Sequence, residues 1–284
     1  MMTGGWLKNI AQWKIGKTLY LSVPFTWLLP KALKLAQAHR GPVLAGGPAV
    51  DLMPDYLAGT ASIGNPCPVA EPLIFHNPLA TCTSRGCPNR CSFCAINTIE
   101  GDFRELKGWR PAPIVCDNNL LAASKKHFDR VIDSLKPFPF VDFNQGLEAR
   151  RLKPYHARRL AELKKVKVRF AFDSLKAEKS VLEAITLCRQ HGLKVFGVYV
   201  LIGFKDTPDD AHYRLEKVRE WGIRPSPMRF QPLNALSKNS FVAPEWDERT
   251  LKDTMRYYSR LVWLGHFSFA EYCGRATGTF DKAA

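Results

Sequence analysis

The segment Cys87-Pro-Asn-Arg-Cys91-Ser-Phe-Cys94 sets three thiols at a CxxxCxxC spacing. Such thiolates are soft ligands that select zinc or an iron–sulfur cluster. A closed structural zinc site wants a fourth ligand, usually from a second knuckle of paired Cys or His. The sequence offers none: Cys67, Cys82, Cys116, Cys188 and Cys273 are scattered singly, and no histidine pair has ligand spacing. Three ligands without a fourth leave an open coordination position, where chemistry can occur. A zinc knuckle and an electron-transfer cluster are the alternatives.

The remaining chain must carry that loop. Its 284 residues suffice for one large α/β domain with a small appendage. A hydrophobic content of 46% and a charged content of 24% are those of a globular protein. Residues 1–16 lack an apolar run followed by a cleavage site, and Leu19–Leu29 is interrupted by Pro24 and too short to cross a bilayer. Together with thiols around a metal loop, this predicts a reducing cytoplasm and no membrane partner.

Hydrophobic periodicity predicts a strand over Thr18–Val23, a helix over Trp27–His39, a strand over Pro42–Ala45, a Gly46-Gly47-Pro48 turn and a short helix around Leu52–Leu57. The Gly-Gly-Pro turn lacks the GxGxxG spacing of a dinucleotide site. A proline-rich linker, Asn65–Asn77, follows. Strands are then expected at Leu79–Ser84, Ile114–Cys116, Phe140–Phe143, Val168–Phe172, Val195–Ile202 and Met228–Gln231. Helices over Ala122–Leu135, Pro154–Leu163, up to His191, and Pro208–Trp221 separate them. The last segment, Tyr257–Tyr272, is aromatic-rich and begins as an amphipathic helix. The expected division is an appendage and linker over 1–77, a barrel over 78–240 and a C-terminal segment over 241–284.

The CxxxCxxC loop, with Phe93 just before its last cysteine, resembles that of the radical S-adenosylmethionine (radical SAM) superfamily, and the barrel resembles its cobalamin-type and methylthiotransferase branch. The resemblance implies a partial (β/α)6 TIM-like barrel in which Cys87, Cys91 and Cys94 hold a [4Fe-4S] cluster. SAM chelates the fourth iron there, and an electron from a flavodoxin- or ferredoxin-type donor cleaves it to a 5′-deoxyadenosyl radical. Sites in such barrels lie at the C-terminal ends of the strands. The resemblance places Asp117, Asn118 and Asn119 at the end of strand two. It sets Asp173 and Ser174 at the end of strand four, facing the SAM ribose and amino group. Gly203 closes a strand-five segment lying along adenine, and Arg229 and Gln231 close the adenine pocket at strand six. Arg150 is either a bidentate partner of the SAM carboxylate or a surface ion pair.

The strand–helix–strand start resembles the end of a cobalamin-binding domain. It is shorter, and the DxHxxG signature that supplies a lower cobalt ligand is absent, so cobalamin is not expected as a partner. The catalytic residues stay open. Cys116, like Cys82, is a candidate radical-quenching thiol or a small core residue, and His266 and Tyr272 are candidates for acid–base work or for capping the barrel. A net charge of +15 and a basic run from Arg150 to Arg169 tilt the substrate towards a nucleotide or a modified nucleic-acid base. A solvated basic face is the plainer account of that run. A peptide or small-metabolite substrate, or a non-catalytic Fe–S or zinc protein, are the competing functions.

Overall fold

The computed structural model describes residues 5–64, 72–260 and 266–274. Strand β1 (Ala11–Ile15) turns through Gly16, at φ +58°, into the antiparallel β2 (Thr18–Ser22). Helix α1 (Leu29–Ala38) then crosses to the parallel β3 (Val43–Gly46). Gly47 (φ +96°) ends β3, and Pro48 opens helix α2 (Pro48–Leu52). Proline suits a helix's first turn, where no backbone N–H is needed. The helix expected at Leu52–Leu57 therefore starts earlier, and only a 3-10 turn occupies Pro54–Tyr56. Strand β4 (Ser62–Ile63) completes a sheet ordered β1-β2-β3-β4. Leu21, Leu29, Ala45, Val50 and Leu57 form its separate core.

Of the expected linker, residues 65–71 lie outside the described residues, and Leu73–His76 form a short helix, α3. Strand β5 (Ala80–Thr81) follows. Instead of continuing to Ser84, the strand breaks, and β6 (Ser84–Arg85) pairs antiparallel with β7 (Arg104–Glu105). Between them run the cysteine loop and helix α4 (Ile96–Ile99). The chain then alternates regularly. Strand β8 (Ile114–Val115), helix α5 (Lys125–Leu135), strand β9 (Val141–Phe143) and helix α6 (Pro154–Leu160) lead to strand β10 (Val166–Ala171). Helix α7 (Glu178–Gln190), strand β11 (Val195–Ile202), helix α8 (Pro208–Glu220) and strand β12 (Pro225–Arg229) follow.

Local chemistry sets these boundaries. Ser124 caps α5 by accepting from His127 N, and Thr207 and Asp210 form a capping box before α8. On α5, Phe128, Val131, Ile132 and Leu135 face the main core, where Phe143, Phe170, Phe172, Val198 and Val200 of the strands meet them. Strands β5, β8, β9, β10, β11 and β12 form one parallel sheet in chain order. Helices connect successive strands from β8 onward. This is a mixed α/β architecture of the class that βα alternation predicts.

Strand six is shifted towards the N-terminus of its expected span. Pro225 and Pro227 lie within it, and a central strand would not accept them. As the edge strand, β12 aims their missing N–H groups away from β11. The C-terminal helix α9 (Glu248–Ser259), capped by Asp247, begins before the aromatic run rather than at Tyr257. It packs on β12 beside α8, and Phe269 and Tyr272 of helix α10 (Phe269–Gly274) fold back onto Tyr257. No helix among the described residues is long and apolar enough to cross a membrane.

Candidate active site

The cysteine loop springs from the C-terminal end of β5 and is pinned at its root. Gly86, at φ +73°, donates its N–H to Glu100 Oε2 (2.7 Å), and a Cβ there would collide with the Asp102 carbonyl. Glu100 also accepts from Arg85 Nη1 (3.1 Å) and from Asn118 Nδ2 (2.8 Å), tying the loop to the end of β8. A turn bond from Cys94 N to Cys91 O (3.0 Å) shapes the loop.

Beyond its root, the loop lies across the ends of other strands. Asn89 Nδ2 donates to Glu148 Oε2 (2.5 Å) after β9, and Asn119 Nδ2 donates to Cys87 Sγ (3.5 Å) after β8. Phe93 meets Phe204 edge-on after β11, with ring centroids 5.8 Å apart. Asp173, after β10, is near enough for its charge to push the Cys91 and Cys94 thiols up, adding to the larger effect of burial. Cys87, Cys91 and Cys94 all remain half-buried, so their sulfurs are within reach of an incoming group.

Among the described residues no three His, Cys, Asp or Glu side chains gather as ligands of a single ion would. Two buried amide oxygens beside the thiols, Asn97 Oδ1 and Asn119 Oδ1, have no hydrogen-bond partner. Orphaned acceptors of that kind are rare in a native fold and suit a ligand that brings a donor.

The other candidates separate into those facing this region and those consumed by the scaffold. The half-buried Asp173 accepts from Leu201 N (3.0 Å); burial holds its carboxyl above the usual range, against the lowering influence of Arg214. Ser174 is exposed beside it. Gly203, at φ +72°, sits where a Cβ would come 2.8 Å from Leu251 of α9. Asp117, by contrast, is buried at 3% exposure. Its carboxylate accepts from Thr83 N (2.6 Å), Thr83 Oγ1 and Ser84 Oγ (2.9 Å), so it anchors the root of the loop. Arg150 is forked onto Glu148, Nε to Oε1 (2.9 Å) and Nη2 to Oε2 (2.8 Å).

At strand six, Arg229 reaches Phe241 O (2.7 Å) and Glu248 Oε2 (2.7 Å), and Gln231 bonds both ways with Asn239. Both side chains thus brace the segment leading to α9. Cys116 packs with Ala80, Cys82 and Ile114 in a small core. His266 is exposed, and Tyr272 is buried among Tyr257 and Phe269. Glu148, Asn97 and Glu100 escaped the sequence reading. Glu148, an acid shortly after a strand end, carried a signal; Asn97 and Glu100 belong to no pattern.

No protein-family model matches the chain, and no curated protein matches it. Among solved structures its fold is similar to that of a radical SAM enzyme. One such structure is the radical S-adenosylmethionine methyltransferase TsrM from Kitasatospora setae, solved with cobalamin and a [4Fe-4S] cluster bound. The TM-score is 0.54 at 11% identity, over 75% of this chain. The chain spans 62% of the length of that structure.

The likeness shows a radical SAM-like fold, and it overturns the expectation that cobalamin is not a partner, since that structure holds cobalamin.

Proposed function

We propose that this chain is a radical SAM enzyme. In this reading Cys87, Cys91 and Cys94 hold a [4Fe-4S] cluster and SAM binds beside it. The observation that carries the reading is the position of the thiols. Three half-buried cysteines of one loop lie across the C-terminal ends of a parallel sheet in chain order, beside two orphaned amide oxygens. Three thiolates without a fourth protein ligand suit a cluster that leaves one iron open better than a closed structural zinc site.

The finer reading is a partial barrel over 78–240, and a contact between its first and fifth strand ends favours it. From β5 to β11 are four strand steps of about 4.8 Å, roughly 19 Å across a flat sheet. Yet the loop after β5 brings Phe93 against Phe204, just past β11. Residues 1–77 form the appendage in this reading, and residues 241–284 the C-terminal segment.

With cluster and SAM bound, one electron delivered to the sulfonium yields methionine and the carbon radical that takes a hydrogen atom from the substrate. The chain's own residues hold and orient. Asp173 accepts from the ribose or amino group of SAM, and Asn118 and Asn119 present further polar contacts. Phe93, Phe204 and Gly203 wall the adenine side. Asp117 fixes the loop root, while Arg229 and Gln231 brace the closing segment. Glu148 neutralises Arg150 and steadies Asn89, so Arg150 meets the SAM carboxylate only on leaving that pair. The proposed substrate is a nucleotide or nucleic-acid base, the reductant a flavodoxin- or ferredoxin-type protein, and the compartment the cytoplasm.

The test is anaerobic reconstitution followed by dithionite and SAM. About four iron and four sulfide per chain, with release of 5′-deoxyadenosine and methionine, is the expected result. A chain that loads only zinc, or a loaded cluster that leaves SAM intact, sinks the reading.

A further inference from the structure

Beside the cysteine loop opens a cleft of about 870 Å³ that shares only Arg150 with the proposed SAM site. Asn89, which lies between Cys87 and Cys91, lines it together with Arg150. Lys125, Arg151, Lys153 and Tyr155 also line it, along with His156 and a short apolar stretch at Leu121. Four cations and no carboxylate appear among the lining residues. Arg150 is spoken for by Glu148, but Lys125, Arg151 and Lys153 form no ion pair with a described carboxylate. The nearby acid whose charge interacts with Lys125, Asp129, is itself bound by Arg159 and Tyr155. Helix α5 also begins at this wall, adding the positive end of its dipole. Three uncompensated cations around one concave space repel each other, and an anion relieves them.

We infer that this cleft is a phosphate subsite: Lys125, Arg151 and Lys153 grip the phosphate of a nucleotide, whose sugar or base then reaches past Asn89 towards the cysteine loop. The inference rests on the proposed radical chemistry for its purpose but not for its binding. The volume lies in the range of small-ligand sites. Lys125 covers the Tyr155 ring at 4.9 Å, so the cleft offers charge rather than a stacking platform. A base stacked inside a duplex cannot reach the loop, which restricts the ligand to a free nucleotide or a single strand.

Binding of a fluorescent single-stranded 12-mer and of nucleoside 5′-monophosphates would be measured across a salt series. Wild type is compared with Lys125→Gln/Arg151→Gln/Lys153→Gln and with a control that loses the same charge at exposed sites elsewhere, Lys34→Gln/Lys164→Gln/Lys194→Gln. The cleft variant should lower the log–log salt slope for the strand by about two, at about 0.7 per phosphate contact, and the control should not. Monophosphate binding lost in the same variant identifies a free nucleotide; loss for the 12-mer alone identifies a polymer. Equal weakening in both triple variants, or no binding of either probe by wild type, overturns the subsite. SAM cleavage without substrate should be unchanged in the cleft variant. Its absence from wild type would defeat the radical reading while leaving the phosphate result standing.

Discussion

Cys87, Cys91 and Cys94 differ from Cys188 in their surroundings. Cys188 is fully buried on α7, and burial pushes its thiol up to about 12, so it stays protonated and inert. Replacing Cys91 with Ala should abolish the charge-transfer absorption of the reconstituted protein, and Cys188→Ala should preserve it. A full cluster in the Cys91→Ala protein would refute the ligand assignment. Asp173 carries two duties, the Leu201 N–H and the proposed cofactor. Asp173→Ala should weaken SAM binding by roughly 1.5–3 kcal/mol, the worth of a hydrogen bond to a charged group. Asp173→Asn keeps an acceptor for Leu201 and separates the charge from the scaffold role. Unchanged SAM affinity in Asp173→Ala, read by equilibrium binding, would remove Asp173 from the site.

Two elements set the site's shape. The hairpin of β6 and β7 closes the root of the cysteine loop, and Gly86 is its hinge, held at φ +73° against the Asp102 carbonyl. Gly86→Ala must displace backbone rather than a flexible side chain. It should cut iron loading several-fold while circular dichroism stays near wild type. Normal iron content in that variant would show that the loop closes by other means. At the end of β11, Asp206 accepts from Gly203 N and Phe204 N (3.0 and 3.1 Å), and Arg214 pairs with it from α8 at 1% exposure. Removing one partner of a buried pair leaves the other charge uncompensated. Arg214→Ala should therefore destabilise by about 3–5 kcal/mol in urea unfolding. Arg214→Met, which refills the space, should cost no less if the charge on Asp206 sets the penalty. A marked recovery would instead assign the loss to packing.

Across the whole molecule, burial gives the fold a pH dependence. His76, His127, His156 and His212 all have pKa values lowered from 6.5, with desolvation as the first cause in each. The unfolded chain therefore takes up protons first as pH falls. Their contribution to stability is complete above about 6.5 and drains away through the lower folded values. Asp117 and Asp173, raised by burial, act in the opposite sense and favour the fold in acid. The melting temperature should drop between pH 7.5 and 5.5, where the histidines titrate. A flat profile over that range would mean that these rings stay hydrated. The appendage also bears on the site. Helix α2 rests on α4, Thr26 Oγ1 donates to Ala235 O (2.6 Å), and Asp51 is raised by burial with a further push from Glu100.

What the sequence determined by itself was the ligand triplet and the rhythm of the sheet. A CxxxCxxC spacing is local chemistry, and β11 is found at its expected span, Val195–Ile202, because a long apolar β-branched run has few other ways to bury itself. Caps such as Ser124 and Thr207 trimmed the helices by rules that act over one turn. Tertiary structure decided what each polar residue faces. Asp117 follows β8 and Asp173 follows β10 in the same strand-then-acid pattern, yet one is enclosed by Thr83 and Ser84 while the other stays near the thiols. Pro225 and Pro227 sit in a strand only because it is the edge. The pairing of Arg150 with Glu148, the turn of Arg229 towards Glu248 and the burial of Tyr272 against Tyr257 depend on which distant segments pack together. Such contacts are set by which elements pack on the sheet and by what covers its edge, and no residue carries them in its own neighbourhood.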